Sequence, residues 1–371
     1  MRPRLDLTDL SREGSGDSGH GNKNAAHGGK PMTLLRLRLA AAAALLSTSA
    51  LAQAPKSFND TKPISYSVDG ATATGYFKVV AETINSIVRE AYPGSDATYK
   101  PGSPAGGILN LSNGKSEFTF TGGGPEIEFA LEGKAPFKES LKGKFSFMMT
   151  MHDELVVHAL MTKEFADRAG VRSYDDIVAK KPAFRLGVNT TGNLQSTYGM
   201  YLLHFGAYGI GDAELAKWGV TLFRGNTNEG LSQMRDGKID MLVNGAFLPT
   251  AEVIDINRGR PLLWVEGNEA KMKSVVGKYG YRVVKLEKGG YPFVERDTFM
   301  TVNWNAGLVG NHVSEETVYK FLKAITDAKD KVQKVHPSLA RFSAETIAKN
   351  PTPLPLHPGA LRFYKEAGVI K

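Results

Sequence analysis

The sequence predicts an α/β protein long enough for two domains, and three observations carry that expectation. Strand-like apolar runs alternate with amphipathic helical runs along most of the chain. Apolar strands end repeatedly in turns of Gly, Thr, Ser or Asn, and a helix often begins just after. Removal of 52 N-terminal residues from 371 would leave 319, enough for two cores without a disulfide, and the chain has no cysteine. That last fact excludes thiol nucleophiles and thiolate metal sites.

The N-terminal 52 residues are set apart because Met32–Gln53 has the order of a secretory signal. Arg36 and Arg38 stand near its start, an apolar run broken only by Arg38 extends from Leu37 to Leu46, and Ala50-Leu51-Ala52 offers small-x-small before Gln53. The run is too short to span a bilayer, which takes ~20 apolar residues. Residues 1–31, rich in Ser, Gly, Asn and His, read as a disordered leader, with Met32 the expected start of translation. Cleavage after Ala52 would release the chain to a periplasm. Residues 1–52 hold seven of the 46 basic and four of the 38 acidic residues, so the remainder carries 39 and 34, a net +5. No basic block interleaves with aromatics, so nucleic acid is excluded as a partner. No second apolar run reaches membrane-spanning length, and the mature chain is expected not to be membrane-embedded.

The elements follow in order. Ile64–Val68 alternates as a strand and runs into the small polar stretch Gly70–Gly75. Phe77, Val80, Ala81, Ile84, Ile87, Val88 and Ala91 recur at helical spacing until Pro93-Gly94 stops them. Glu117–Thr121 is a strand ending in Gly122-Gly123-Gly124. Phe184–Val188 is another, ending in Asn189–Asn193 before a helical run to Phe205. Asp240–Val243 is expected to end in a turn at Asn244-Gly245-Ala246. Glu315–Val335 and Leu361–Glu366 read as helices. Ordinary turn chemistry accounts for any one Gly/Asn loop. Four of them suit a shared cleft, where free N–H groups at helix N-termini attract an anion, most simply a carboxylate.

Catalytic motifs fail on inspection. Gly114-Lys115-Ser116 lacks the upstream glycine of a phosphate loop, since position 109 is Leu109. Tyr208-Gly209-Ile210-Gly211 lacks the third glycine of a dinucleotide fingerprint, and no Gly-x-Ser-x-Gly elbow exists in the mature chain. His152-Asp153-Glu154 is read as a solvated turn ahead of a strand at Leu155–Met161, because neighbours on extended backbone face opposite ways. His158, His204, His312, His336 and His357 lack metal-ligand spacing. No enzyme, cofactor or metal site is expected.

The C-terminus narrows the choice of fold. Pro355-Leu356-His357-Pro358-Gly359-Ala360, followed by Phe363-Tyr364-Lys365-Glu366 and Gly368, resembles the tail of TAXI-type solute receptors of tripartite ATP-independent periplasmic (TRAP) transporters. Gly75-Tyr76, Gly102-Ser103 with Asn110-Leu111 and Gly114-Lys115, Val188–Asn193, Glu229 with Asp236–Asp240, and Asn244–Pro249 are similar to that family's segments in the same order. The first loop departs from it, reading Ala73-Thr74-Gly75-Tyr76-Phe77, as do the longer Ser103–Gly107 and the turn Thr121–Gly124. The resemblance implies a two-lobe periplasmic binding protein, type II-like, with a ligand cleft between lobes joined by crossover hinge strands. One lobe would be 53–154 plus 301–371 and the other 155–300. It further implies capture of a small carboxylate or amino acid of the glutamate, glutamine and 2-oxoglutarate class and delivery to a TRAP permease. Expected ligand-binding residues are Gly75, Tyr76, Ser103, Thr121, Thr190, Thr191, Gly192, Asn193, Asn244 and Gly245, with Arg224 a candidate counter-charge or a plain surface arginine. The alternatives are a binding protein of an ABC or tripartite tricarboxylate transporter, and a periplasmic enzyme built on His152-Asp153-Glu154.

Overall fold

A computed structural model describes residues 58, 60–71, 73, 75–190, 201 and 204–371, with Lys278 by backbone alone. The leader, the signal segment and Thr191–Asn193 lie outside the described residues.

Two three-stranded parallel arrays are joined through a pair of long antiparallel strands. The first array is β1 (Ser65–Asp69), β2 (Asp96–Lys100) and β3 (Phe118–Gly122), paired β2-β1-β3. The second is β5 (Arg185–Val188), β6 (Thr221–Arg224) and β7 (Met241–Ala246), paired β7-β5-β6. Between them run β4 (Phe145–Thr162) and β10 (Thr298–Gly310), antiparallel to each other, while the short β8 (Leu262–Trp264) and β9 (Arg282–Leu286) flank β4 and β10. The β4 and β10 strands pass from one array to the other: Ala306–Val309 of β10 pair with β3, and Val156–Met161 of β4 pair with β7. The fold is a two-lobe α/β architecture with crossover strands, as expected.

Helices cover the arrays because each carries an apolar stripe. On α1 (Tyr76–Ala91), Val80, Ala81, Ile84, Ile87 and Val88 are buried. Its N-cap Gly75 has φ 82° and ψ −162°, a conformation open only to glycine. The other helices that matter here are α2 (Pro104–Ser112), α3 (Gly124–Glu132), α4 (Lys163–Ala169), α5 (Tyr174–Lys180), α6 (Asp212–Lys217), α7 (Thr227–Arg235), α8 (Ala251–Gly259), α9 (Glu269–Val276), α10 (Glu315–Asp327), α11 (Lys329–Gln333), α12 (Ala344–Ile347) and α13 (Pro358–Glu366).

Buried apolar residues fall into three clusters. One runs continuously under both lobes, from Ile108 and Phe147 to Leu186 and Phe205. On the opposite faces the lobes keep separate cores. The first lobe packs Phe118, Phe321 and Tyr364 with α1, and the second packs Leu231, Ile256 and Trp264. The C-terminal tail that carried the resemblance is a fastening. Phe147 and the Pro355–His357 backbone exchange hydrogen bonds of 2.9 Å, His357 accepts from Gly359 N to cap α13, and the Tyr364 hydroxyl donates to Met148 O at 3.0 Å. A Cβ at Gly359 would stand 2.3 Å from Glu315 O, so glycine lets α13 lie against α10.

Three expectations need correction. His152-Asp153-Glu154 is no turn, because β4 begins at Phe145 and runs through it. Alternation puts His152 inside at 4% exposure, while Asp153 and Glu154 meet Arg341 on the outer side. Asn244-Gly245-Ala246 continues β7, since Asn244 satisfies its oxygen inside the sheet layer instead of turning the chain. Glu315–Val335 is not one helix: Ala328 (φ −100°, ψ 26°) ends α10 and α11 starts anew.

Candidate functional site

Where the two separate cores face each other there is a cavity of about 680 Å³. Its floor is the middle of the crossover pair, where β4 and β10 lose regular register on either side of Asn305. Such irregularities re-aim side chains. His152 and Asn305 are register partners there and both line the cavity.

Four helix N-termini border the same space. From the first lobe come Gly75-Tyr76-Phe77 at α1 and Pro104 at α2. From the second come Asn226-Thr227-Asn228 at α7 and Thr250-Ala251-Glu252 at α8. The α7 start is built by a capping box: Asn226 Oδ1 accepts from Glu229 N at 3.0 Å, and Glu229 accepts from Asn226 N at 2.8 Å. No side chain caps α1 or α8. The uncapped N-termini of α1 and α8 present partial positive charge from unsatisfied N–H groups, whereas side chains already take up some of those at α2 and α7. Among the described residues lining the cavity there is no Lys or Arg, and exposed Glu252 is the sole formal charge.

The remaining wall is aromatic. Tyr76 of the first lobe lies 4.7 Å, centroid to centroid, from Phe247 of the second, and both rings contact His336, at 5.0 and 4.6 Å. His152 sits edge-on to Tyr76 and Phe247 at 5.5 and 5.1 Å. Burial, reinforced by the neighbouring His336, pushes the His152 pKa down to about 3, so its imidazole is neutral at ordinary pH. Burial lowers His336 and raises the Tyr76 phenol, the latter opposed in part by a hydrogen bond from Ser338. Both ring nitrogens of His152, and the Asn305 Oδ1, are buried without a hydrogen-bond partner among the described residues. A buried polar atom left without a partner costs ~1–3 kcal/mol.

Of the residues expected from sequence, Gly75, Tyr76, Thr121 and Gly245 line this cavity. Ser103 does not, because its hydroxyl caps α2, accepting from Gly106 N at 3.2 Å. Ser-Pro ahead of a helix is a legible N-cap signature. Asn244 lies just behind the wall, its Oδ1 accepting from Asn189 Nδ2 at 3.0 Å and from Thr227 Oγ1 at 3.2 Å. Thr190 is half-buried, its N–H donating to Asn189 Oδ1 at 2.8 Å, and is not part of the lining. Thr191, Gly192 and Asn193 lie outside the described residues. Arg224 pairs with Asp212 at 3.3 Å, away from the cavity. Sequence reasoning set His152 aside as part of a solvated turn and missed Asn305, Phe247, His336 and the starts of α7 and α8. Only Asn226-x-x-Glu229 carried a local signal.

The NMT1-like family model matches residues 69–368. Among solved structures, a binding protein component of an ABC phosphonate transporter from Pseudomonas aeruginosa shares 11% identity and a TM-score of 0.47, covering 75% of this chain and 79% of its own. MatC from Rhodopseudomonas palustris with bound malate shares 14% identity and a TM-score of 0.46, covering 74% and 88%. The periplasmic aliphatic sulphonate binding protein SsuA from Escherichia coli shares 11% identity and a TM-score of 0.42, covering 84% and 95%. At such distances the ligands named for those proteins do not transfer to this chain.

Proposed function

We propose that this chain, which belongs to the NMT1-like family, is a periplasmic solute receptor that holds a small carboxylate between its lobes and hands it to a membrane permease. The observation that carries this reading is the set of four helix N-termini, two from each lobe, around one cavity with no basic side chain in its described lining. An anion there would be held by N–H groups and helix dipoles, each end worth about 0.3–1 kcal/mol and up to ~2 when partly buried. Because the N-termini come in pairs from different lobes, the ligand would favour the arrangement that brings them together, which is hinge closure. In this reading the lobes are 53–154 plus 301–371 and 155–300, with β4 and β10 as hinge strands. Gly75, Tyr76, Thr121 and Gly245 contact the ligand.

A TRAP permease as partner rests on the tail's resemblance to TAXI receptors. Those residues fasten α13 to β4 and do not line the cavity, so the resemblance speaks to fold more directly than to partner. An ABC or tripartite tricarboxylate permease is the alternative, and the neighbouring genes, a fused large permease or an ATPase, separate the two. Export rests on the signal-like Met32–Gln53. Among the described residues no helix is long and apolar enough to cross a membrane.

The test is a thermal-shift and calorimetry screen of ligand-stripped protein against amino acids, dicarboxylates, aliphatic and aromatic monocarboxylates and neutral sugars. A true ligand at about 100 times its Kd adds ~2.7 kcal/mol, several degrees in Tm. Shifts confined to carboxylates support the receptor reading, and shifts confined to sugars sink it.

A further inference from the structure

Among the described residues the cavity meets an anion only with its helix N-termini, not with a basic side chain. Its only formally charged lining residue among those described, Glu252, is exposed. A second carboxylate lying on the apolar wall, out of reach of the helix N-termini, would meet no cation, and an ammonium there would meet no buried carboxylate. Either would shed water against Tyr76, Phe77, Phe247, Leu155 and Leu231 without compensation. Those side chains instead suit an uncharged ring, since three of the five are aromatic and rings gain from offset or edge contacts beyond area burial. The volume of about 680 Å³ leaves room for a ring and a short chain.

The floor then asks for one more feature. Asn305 Oδ1 is an acceptor with no donor, and His152 is a neutral imidazole with one donor and one acceptor nitrogen, both idle; each residue is 4% exposed and lines the cavity. Register pairing places them side by side. A hydroxyl or primary amide on the ligand could donate to Asn305 and exchange a second hydrogen bond with His152. A purely hydrocarbon body would leave both unmet.

Resting on the carboxylate-receptor reading, we propose that the cavity selects an aromatic monocarboxylate bearing a single uncharged hydroxyl or amide, its carboxylate at the helix N-termini and its neutral polar group on Asn305 and His152. Zwitterionic amino acids and dicarboxylates are excluded as preferred cargo, which departs from the glutamate and 2-oxoglutarate class implied by resemblance.

A matched probe series on the purified protein tests this by calorimetry at pH 7.5: 4-hydroxycinnamate, cinnamate, 4-carboxycinnamate, glutamate, hexanoate and 4-hydroxycinnamamide. The expected order puts 4-hydroxycinnamate first, cinnamate about tenfold weaker for its unmet floor, and 4-carboxycinnamate and glutamate weaker still. In Asn305→Leu the ratio between 4-hydroxycinnamate and cinnamate should fall towards one. Tighter binding of glutamate, 4-carboxycinnamate or hexanoate overturns the proposal and leaves the carboxylate receptor standing. Binding of 4-hydroxycinnamamide with silence from every carboxylate overturns both. An unchanged ratio in Asn305→Leu overturns the floor assignment.

Discussion

His152 and His158 lie on the same strand, at 4% and 2% exposure, yet their surroundings differ completely. His158 is fully employed. Val156 O can only accept, so the neutral His158 donates to it from Nδ1 at 3.3 Å, and Nε2 accepts at 2.7 Å from the Tyr291 hydroxyl, which itself accepts from Thr250 N at 2.9 Å. That chain fixes Thr250, the residue that opens α8 beside the cavity. His152 faces the cavity with neither nitrogen engaged. The contrast separates a histidine that folding uses from one that folding leaves for something else. Other buried polar atoms also lack partners, among them the Glu126 carboxyl and the Asn303 amide, but of all these residues only His152 and Asn305 line the cavity.

The largest effect expected from this contrast is on stability. His158→Ala should lower the unfolding free energy by about 2–4 kcal/mol, since it opens a cavity against Trp264 and Tyr291 and strands the Tyr291 hydroxyl. His152→Leu should change it by less than ~1 kcal/mol, or raise it, because it removes two unmet polar atoms at similar volume. Urea midpoints at constant m-value give both numbers. Equal losses in the two variants would erase the distinction and make the floor imidazole structural.

Acid should treat the two alike, because burial is the leading cause at both. His152 is pushed down to about 3, and His158 and His204 to about 4, from an ordinary 6.5. Below pH 6.5 the unfolded chain takes up protons that the folded one refuses. Stability is therefore complete above pH 6.5 and falls as pH drops towards 4, by up to ~1.4 kcal/mol per unit for each histidine. Urea midpoints at pH 7.5, 6 and 5 should show the decline. Either His152→Leu or His158→Leu should flatten it by one proton, and a slope unchanged in His152→Leu would mean that its imidazole already titrates in the folded protein.

Much of the scaffold was legible and only part of the site was. Strand β1 and helix α1 fall within a residue or so of their expected bounds because period and terminators agreed, with Pro93-Gly94 closing α1. Where side chains are polar but engaged, the pattern misled. Asn244-Gly245-Ala246 has a turn's composition, yet Asn244 spends its oxygen on Asn189, Thr227 and Gly245 N inside the layer. Of the cavity's aromatic wall only Tyr76 was legible, because Phe247 and His336 come from distant segments and meet it only through the fold. Glycine loops were the visible signal. In the described lining they account for Gly75 and Gly245, while the chemistry they border belongs to β4 and β10.

The smallest effect belongs to the outer face of the same strand. Arg341, 67% exposed at its side chain, reaches Asp153 at 3.5 Å and also pairs with Glu154, while Arg282 donates to Asp153 O at 2.9 Å. Charges so exposed keep most of their hydration, and salt screens what attraction remains. Arg341→Ala should therefore shift stability by no more than about 0.5 kcal/mol, less in 0.5 M salt, read from the same urea midpoints. A loss rivalling that of His158→Ala would show that the acidic pair holds β4 in its bent course through the crossover. One residue along, His152 makes no hydrogen bond among the described residues and lines the cavity. Between His152 and Asp153 the strand passes from a cavity-lining group to a solvated one, close to where its pairing with β10 loses regular register.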